Sequence, residues 1–336
     1  MEIGEVSVEE YGAFVAKHPE VNLLQSVEWG AVHESLGDKV VRYGVKYQEV
    51  LVAVWTGIVK NAKRGRYLEV PGGPVMDWTD EQLVKRVLGE LRRFARSHAC
   101  VFVRLRPQVE ENAKTLQILQ QNSAKSAPMH LHAEHTNIID LTPDEDTLLA
   151  NMRRQTRYEV RQVAKRDVVV TSKAPTEAEL DEFYDLQAKT AKQHNFVQSP
   201  RKFLQALREG FGPQLRLYRA EKNGQLLNLA LVVHWGEEAD YFEAASSTEA
   251  RKEPGAYGIV WQAMRDAKTA GRTRLNLWGI AYSDDPHHRY AGVTTFKRGF
   301  GGRDVVFVHA HDLVVRRLRY ELDYIIETIR RKKRGL

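Results

Sequence analysis

Residues 214–235 read QLRLYRAEKNGQLLNLALVVHW, two runs of alternating apolar residues joined at Asn223-Gly224. Asn-Gly between such runs is a strong signal for a β-hairpin, because both residues tolerate the positive φ angles of a type I′ turn. After this hairpin come a strand, DYFEAASS (240–247), a Pro-Gly break, a helical segment, YGIVWQAMRDAKTAG (257–271), and a strand, RLNLWGI (274–280). The segment therefore predicts a hairpin, a strand, a helix and a strand, in that order.

The same order of elements occurs earlier in the chain. RYGVKYQEVLVAVWTGIV (42–59) alternates as a hairpin does, and RYLEVPGGPVM (66–76) is a strand that enters a Gly/Pro loop. EQLVKRVLGELRRFARSH (81–98) has helical periodicity and precedes the strand ACVFVRLRP (99–107). The matched order predicts an internal duplication, an α/β fold of two tandem acetyltransferase-like (GNAT) domains side by side. Coincidence is the alternative, since α/β chains alternate elements in any case.

Two helical segments set the predicted domain boundaries. Thr142, Pro143 and Glu145 form a capping pattern ahead of a helix that continues through Lys165. From a cap at Asp312, the last helix carries an apolar stripe, formed by Val315, Leu318, Leu322, Ile325 and Ile329. We therefore assign residues 1–141 and 312–336 to the first domain, with this stripe docked on it, and residues 142–311 to the second. A membrane surface is the alternative partner of the stripe, because the helix ends in RRKKR.

Composition indicates a globular protein that favours anionic partners. The 336 residues are 43% hydrophobic and 28% charged, with a net charge of +6 and a pI of about 9.2. We expect no signal peptide and no membrane-spanning segment. The single cysteine, Cys100, excludes an intramolecular disulfide and a cysteine-rich zinc site. These features predict a cytoplasmic protein, with the inner face of the plasma membrane as an alternative location.

A row of four cations begins the second half of the chain. Arg153, Arg157, Arg161 and Lys165 are four residues apart and share one helix face, where like charges disfavour an isolated helix. This basic stripe predicts contacts with phosphate or RNA. The alternative is a solvated face that is partly neutralised by Glu145 or Glu159.

Other chemical motifs are absent from the sequence. It has no P-loop, no GxSxG, no HExxH, no GxGxxG before a helix, and no acetyl-CoA pyrophosphate turn. We interpret DDPHH at 284–288 as a polar surface loop, since adjacent ligands suit no metal geometry.

The stretch FKRGFGG (296–302) follows the end of the strand RLNLWGI (274–280), a position where α/β sheets bind ligands. We expect Phe296 and Phe300 to anchor it in the core while Lys297 and Arg298 project, with glycines that permit close approach of a ligand. A glycine turn with exposed cations is the alternative.

The sequence resembles the Fem family of non-ribosomal peptidyltransferases (FemABX) over nearly its whole length. Six stretches carry the resemblance in the family's order: NLLQSVEWG near the start, GGPVMDW (72–78), NMRRQTRYEVRQVAK (151–165), YFEAASS (241–247), RLNLWGI (274–280) and FKRGFGG (296–302). Some members also have a coiled-coil arm, and this chain lacks a heptad insertion, so it resembles the short form.

The resemblance implies transfer of an amino acid from aminoacyl-tRNA to the side-chain amine of the third residue of the peptidoglycan stem peptide. The acceptor would be UDP-MurNAc-pentapeptide or lipid II, and the product a cross-bridge. The donor ester is already activated, so positioning and stabilisation of the oxyanion suffice, and no metal or organic cofactor is expected. We expect a monomer. Two alternatives stay open: a tandem GNAT acyltransferase with another amine acceptor, and a non-catalytic protein that binds RNA or a membrane surface.

The resemblance also supplies the candidate residues. Lys297 matches the family's lysine, as the catalytic candidate, either at the oxyanion or at the tRNA acceptor end. The tRNA candidates are Arg153, Arg157, Arg161, Lys165, Lys297 and Arg298. The substrate-binding candidates are Trp29, Gly72, Gly73, Pro74, Tyr241, Glu243, Ser246, Tyr257 and Asn276. The chain departs from the family at Gly30, Ala31, Arg106, Glu243 and Asn276. We therefore add Arg104, Arg106 and Arg201 as cations for a diphosphate, independently of the resemblance.

Overall fold

The computed structural model of the protein describes residues 1–62, 65–129, 132–194 and 197–334, and only the backbone of 193–194 and 332–334. The chain divides into two compact units. Unit 1 comprises Met1–Glu134 and Val306–Leu336, and unit 2 comprises His135–Val305.

Unit 1 contains a sheet with helices packed on it. In chain order its elements are β1 (Glu2–Glu5), α1 (Val8–Val15), α2 (Val27–Ser35), β2 (Lys39–Tyr47), β3 (Val50–Ala62), β4 (Gly65–Gly72), β5 (Val75–Met76), α3 (Glu81–Ser97), β6 (Phe102–Pro107), α4 (Ala113–Gln121) and β7 (Ala124–Ser126). Unit 2 then follows, with β8 (His135–Asp140), α5 (Glu145–Asn151), α6 (Arg154–Lys165), β9 (Val168–Lys173), α7 (Glu177–His194), α8 (Arg201–Phe211), β10 (Leu215–Lys222), β11 (Gln225–Trp235), β12 (Glu238–Ser246), α9 (Gly255–Thr269), β13 (Arg274–Gly279), α10 (Ala291–Arg298) and β14 (Arg303–Val306). The chain returns to unit 1 with β15 (His311–Val314) and α11 (Arg317–Arg334).

The sheet of unit 1 has the order β1-β2-β3-β4-β6-β15-β7, and β5 pairs with β3. β4 and β6 are parallel and stay paired from Leu68↔Val103 to Gly72↔Pro107. α3 begins at Asp80, whose side chain accepts a hydrogen bond from the Leu83 N–H. Its apolar face packs on Trp55, Val103 and the rest of the core of this unit.

The sheet of unit 2 has the order β14-β8-β13-β12-β11-β10-β9. The hairpin β10–β11 turns at Asn223-Gly224, where both residues have positive φ, 51° and 76°, as the sequence predicts. α9 lies on the sheet and fills the core with Ile259, Val260 and Met264. Both units therefore contain a hairpin, a strand, a helix and a strand that pairs in parallel with the strand before the helix.

The unit boundaries differ from the predicted ones by a few residues. β8 belongs to unit 2 because it pairs with β13 from Arg274↔Asp140 onwards, so unit 1 ends at Glu134 instead of Leu141. The return to unit 1 occurs at Val306 instead of Asp312.

The helix predicted from residue 143 to 165 is two helices. Asp144, not Thr142, caps α5 by accepting a hydrogen bond from the Thr147 N–H. Met152 is extended, with ψ of 146°, so α5 stops and α6 starts after Arg153. A periodic apolar pattern that continues across a two-residue break conceals such a break.

The prediction for the C-terminal segment was wrong in two respects. Asp312 is a buried residue of β15 and not a helix cap. The side of α11 that packs on unit 1 carries Tyr320, whose ring contacts Phe102, and Tyr324, whose ring contacts Tyr320. Val315 precedes α11 and packs against the core of unit 1 as predicted. The other four residues of the predicted stripe face solvent instead, and Leu318 is 86% exposed and Leu322 65% exposed.

Candidate functional site

The parallel strands β12 and β13 of unit 2 separate part-way along their length. They pair from Glu238↔Arg274 to Asp240↔Asn276, although β12 continues to Ser246 and β13 to Gly279. Trp278 adopts a left-handed conformation, with φ of 61°, where the register of β13 shifts. Beyond this point the two strand ends do not pair with each other through their backbone groups. They lie at the carboxyl edge of the sheet, where α/β proteins bind ligands.

Lys297 lies at this edge. It is in the last turn of α10, and its Nζ donates a hydrogen bond of 2.7 Å to the carbonyl of Gly279, the last residue of β13. The side chain is nearly buried, with an exposed fraction of 9%. Burial lowers its pKa to about 7, and within the described chain no carboxylate pairs with it to offset that effect. An amine that titrates near neutral pH is thus held beside a strand end, without a carboxylate partner in the described chain.

The aromatic residues next to Lys297 in the sequence pack on each other. Phe296 and Phe300 are 5.2 Å apart between ring centroids, and Tyr257 at the start of α9 packs on Phe296 at 5.1 Å. Phe300 is 1% exposed, so it anchors the stretch in the core as predicted. Lys297 does not project into solvent as predicted, because the stretch 296–298 is helical and turns its side chain inward.

The glycines of this stretch serve close packing within the unit. A Cβ at Gly299 would lie 2.2 Å from Thr156 Oγ1 of α6, and one at Gly301 would lie 2.7 Å from the Asn151 carbonyl of α5. The carbonyl of Gly299 also accepts a hydrogen bond from the Arg153 N–H. These two glycines therefore allow the α5–α6 junction to pack closely against the stretch, whereas the prediction was that they admit a ligand.

Arg298 was predicted to contact tRNA, and the structure places it in ion pairs instead. Its guanidinium contacts Asp284 at 2.6 Å and Asp304 at 2.6 Å. Both carboxylates raise the pKa of Arg298. The two carboxylates offset the positive charge of this guanidinium, so it attracts a phosphate only weakly.

A polar network lies where the two strands begin to separate. Asn276 is buried; its Oδ1 accepts hydrogen bonds from Thr136 Oγ1 and the Trp278 N–H, and its Nδ2 donates to Glu238 at 3.2 Å. Glu238 also pairs with Arg274 at 2.7 Å. These contacts use every polar atom of the Asn276 side chain, so it orients the strand ends and is not free to bind substrate as predicted.

Asp240 lies opposite Asn276 in the strand pair and is fully buried. Burial, and then the neighbouring Glu238 carboxylate, raise its pKa well above the ordinary value. Glu238 pairs with Arg274, and the raised pKa favours the protonated form of Asp240.

Glu243 lies on β12 beyond the point of separation. Its carboxylate accepts hydrogen bonds from Gln187 Nε2 at 2.7 Å and Ser199 Oγ at 2.5 Å. Burial raises its pKa and outweighs the lowering effect of these two donors.

The remaining predicted residues of unit 2 have structural partners. Tyr241 is 7% exposed and belongs to the core. Ser246 accepts a hydrogen bond from Asn228 Nδ2 and donates its backbone N–H to Thr190. Arg201 pairs with two aspartates, Asp181 and Asp185, so its predicted role with a diphosphate is not supported.

The basic stripe of α6 is divided between structure and solvent. Arg157 donates to the carbonyls of Leu149 and Ala150 at the end of α5, at 3.3 and 2.9 Å, so it caps that helix. Three cations are exposed and make no ion pair within the described chain: Arg153, Arg161 and Lys165. The predicted neutralising partners have other contacts, because Glu145 pairs with Arg265 and Glu159 accepts from Gln155.

In unit 1 the predicted precursor residues are largely internal. Trp29 is 2% exposed and contacts the rings of His33 and His132 at 5.2 and 5.9 Å. The loop Gly72–Pro74 is buried. It is held beside Gln25, whose Nε2 donates to the Pro71 carbonyl at 2.6 Å.

Arg104 and Arg106 lie side by side on β6, with different surroundings. Arg104 is 5% exposed and makes a bidentate pair with Asp312 at 2.8 Å, and it also contacts Glu327 at 2.9 Å. It is therefore a structural residue and not a free cation for a diphosphate, which corrects the prediction. Arg106 donates to Gln108 at 2.8 Å and lines a small cavity together with His132.

The sequence did not indicate Asp312 and Gln25 as organising residues. In the sequence Asp312 resembles a helix cap because it precedes an apolar helical pattern, and Gln25 lies in the stretch NLLQSVEWG without a distinctive charge. Among the residues that the structure describes, none of the helices is long and apolar enough to cross a membrane, and no three His, Cys, Asp or Glu side chains form a metal site.

The features above agree with comparisons to known proteins. The model of the FemAB family matches residues 6–141, 126–225 and 214–328.

The chain belongs to the FemAB family.

Two relatives are named as transferases of amino acids. The UDP-N-acetylmuramoylpentapeptide-lysine N(6)-alanyltransferase of Weissella viridescens is 26% identical over 71% of this chain and 74% of its own length. Aminoacyltransferase FemB of Staphylococcus epidermidis is 23% identical over 99% of both chains. The resemblance inferred from the six stretches and the assignment to the acyltransferases are thus confirmed.

Solved structures confirm the fold. The crystal structure of FemX matches with a TM-score of 0.85 at 17% identity, over 96% of this chain and 99% of that chain. A tandem GNAT protein from the clavulanic acid biosynthesis pathway matches with a TM-score of 0.59 at 11% identity, over 94% and 98%. The two α/β units are therefore of the tandem acetyltransferase type.

Proposed function

We propose that the protein transfers an amino acid from aminoacyl-tRNA to the side-chain amine of the third residue of the peptidoglycan stem peptide. The relatives named above support this class of reaction, and one of them is named for a lysine side-chain amine as acceptor. The observation that carries the proposal is the Lys297 ammonium at the opening between β12 and β13.

The reaction joins the acceptor nitrogen to the carbonyl carbon of the aminoacyl ester. The bond from that carbon to the ribose oxygen of the tRNA then breaks, and the proton lost by the amine reaches this oxygen. Between the two steps the carbonyl oxygen carries a negative charge. A positioned cation in a site with little water stabilises that charge strongly, since the same charge in water interacts more weakly.

Lys297 fits the oxyanion better than the tRNA backbone. Its Nζ is nearly buried, whereas phosphates of a polyanion bind exposed cations. The hydrogen bond to the Gly279 carbonyl uses one of its three N–H groups, which leaves two as donors. Arrival of a negative charge would also raise the lowered pKa of Lys297 and favour its protonated form.

The tRNA would bind along α6. Arg153, Arg161 and Lys165 are exposed on one face, and the Arg153 N–H is bonded to Gly299 in the turn that follows Lys297. This arrangement connects the basic stripe with the catalytic candidate within one unit. We leave Arg157 and Arg298 out of the proposed tRNA-binding surface, because both have partners within the protein.

The acceptor precursor would bind to unit 1. Arg106 stays as the diphosphate candidate, since Arg104 is neutralised by Asp312 and Glu327. Trp29 and the loop Gly72–Pro74 are buried, so they would support the residues around this site and would not contact the precursor themselves.

The test combines the purified protein with a pool of charged tRNAs and either UDP-MurNAc-pentapeptide or lipid II. Mass spectrometry should detect the acceptor with one added amino-acid residue. A parallel reaction with acetyl-CoA in place of the tRNAs is the control for donor class. Transfer of an acetyl group from acetyl-CoA with no amino-acid transfer from the tRNAs would refute the proposal. Binding of tRNA without transfer to either acceptor would refute it as well.

A further inference from the structure

The C-terminal helix α11 exposes an apolar stripe that unit 1 does not cover. Four of its residues are between 48% and 86% exposed: Leu318, Leu322, Ile325 and Ile329. They are spaced by three and four residues, so they form one continuous face along the helix. Scattered exposed apolar residues need no explanation, but a contiguous row of this length indicates a surface that binds something.

Arginines flank this stripe on both sides. Arg317, Arg319 and Arg330 are exposed, and within the described chain they make no ion pair. The sequence of the helix then ends in RRKKR. The result is an apolar face with a cationic border.

Two of the three acidic residues of α11 have counterions outside this border. Glu327 contacts Arg104 at 2.9 Å, and Glu321, which is exposed beside the stripe, contacts Lys125 at 3.3 Å. Asp323 is 8% exposed and lines a groove together with Arg319. One carboxylate therefore lies near the border, against the three exposed arginines.

A groove adjoins the stripe. It has a volume of about 650 Å³ and lies between α11 and the end of the β3–β4 hairpin. Leu322 and Ile326 form its apolar part, Arg66 and Arg319 supply two cations, and Asp323 supplies one carboxylate. Guanidinium groups next to an apolar wall match the phosphate of a phospholipid and the first part of its acyl chains.

We propose that this face of α11 binds an anionic membrane surface, with the apolar stripe in the interface and the arginines at the lipid phosphates. A helix with an apolar face and cations on its border lies in the plane of such an interface. A second copy of the chain suits the face less well, because self-association would bring two sets of unpaired arginines together. The proposal does not depend on the proposed function, since it concerns binding and not transfer.

The test is co-sedimentation of the full chain with lipid vesicles. The protein should bind vesicles that contain about 30 mol% phosphatidylglycerol and should not bind pure phosphatidylcholine, and added salt should weaken binding. Ile325→Glu should lower the affinity at least about tenfold, because it places a charge in the apolar face. Val169→Glu is the matched control, since Val169 on β9 is 60% exposed and adds the same charge elsewhere.

A second variant tests the cationic border without touching the stripe. Arg319→Gln combined with Arg330→Gln should weaken binding about thirtyfold, at roughly 1 kcal/mol for each cation near the surface. Unchanged binding in both variants would overturn the proposal. So would equal binding to both kinds of vesicle. A dimer in solution that Ile325→Glu dissociates would assign the stripe to a second copy and also overturn it.

Discussion

The two units contain the same order of elements but treat their parallel strands differently. In unit 1, β4 and β6 stay paired to Gly72↔Pro107, whereas in unit 2, β12 and β13 separate after Asp240↔Asn276. The paired residues differ as well: Glu69 lies opposite Arg104 in unit 1, and Asp240 lies opposite Asn276 in unit 2. A closed pair of strands with a buried, ion-paired arginine stabilises a unit, and an opened pair supplies backbone and side-chain groups to a ligand.

Breaking the buried ion pair of unit 1 should have the largest effect. Arg104→Met leaves Asp312 buried without its bidentate partner, and Asp312 is 0% exposed. Loss of one partner of a buried ion pair costs roughly 3–5 kcal/mol of unfolding free energy. Chemical denaturation followed by tryptophan fluorescence measures this loss.

Arg201→Met in unit 2 is the matched control. Arg201 also contacts two carboxylates, but its side chain is 42% exposed, so we expect a loss of at most about 1 kcal/mol. Equal losses in the two variants would show that burial of the Arg104 pair does not distinguish the units.

Removing the cation at the opening in unit 2 should have the next largest effect. Lys297→Met keeps the aliphatic part of the side chain and deletes the donor beside Gly279. Loss of one oxyanion donor lowers kcat by about 10²–10³-fold. Single-turnover transfer from charged tRNA measures the chemical step. Near-normal transfer by a folded Lys297→Met protein would eliminate the proposed role.

Two comparisons sharpen that result. Arg298→Gln changes the neighbouring cation, which pairs with Asp284 and Asp304, and should leave transfer within a few-fold of wild type. Lys297→Arg keeps a charge at every pH, whereas Lys297 has a pKa of about 7. The ratio of wild-type to Lys297→Arg activity should therefore fall as the pH rises through about 7. A rising ratio would indicate that the neutral amine acts as a base.

The basic stripe of α6 should affect tRNA binding more modestly. Arg161→Gln combined with Lys165→Gln removes two exposed cations, so the slope of log affinity against log salt should decrease by roughly 0.7 for each phosphate that is no longer neutralised. Filter binding over a range of salt concentrations measures the slope. Lys85→Gln with Arg86→Gln on α3 of unit 1 removes two exposed cations elsewhere and should leave the slope unchanged.

The sequence predicted the elements of both units because turn residues and apolar periodicity are local signals. Asn223-Gly224 specifies its turn by backbone preference alone, and Phe300 reached the core as its spacing predicted. The inward orientation of Lys297 could not be read in this way, since it depends on how α10 meets the end of β13.

Long-range pairing explains the errors in charge assignment. Arg104 and Asp312 are 208 positions apart, so neither residue reveals its partner in a local pattern. The stripe of α11 was detected by periodicity, but period alone does not decide which face packs. Tyr320 and Tyr324 pack on unit 1 in place of the more apolar face.

The smallest expected effect concerns the unbalanced carboxylates where β12 and β13 begin to separate. Because the pKa of Asp240 is raised, the folded protein keeps a proton there that the unfolded chain loses above about pH 4. Stability from this group is therefore complete at low pH and is lost as the pH rises towards the raised pKa. Asp240→Asn removes the titration while keeping the shape, and should be more stable than wild type at pH 8 by on the order of 1 kcal/mol, with a smaller gain at pH 5. Thermal unfolding at both pH values measures the difference. A gain that does not change with pH would mean that Asp240 does not titrate between pH 5 and pH 8, which contradicts the prediction.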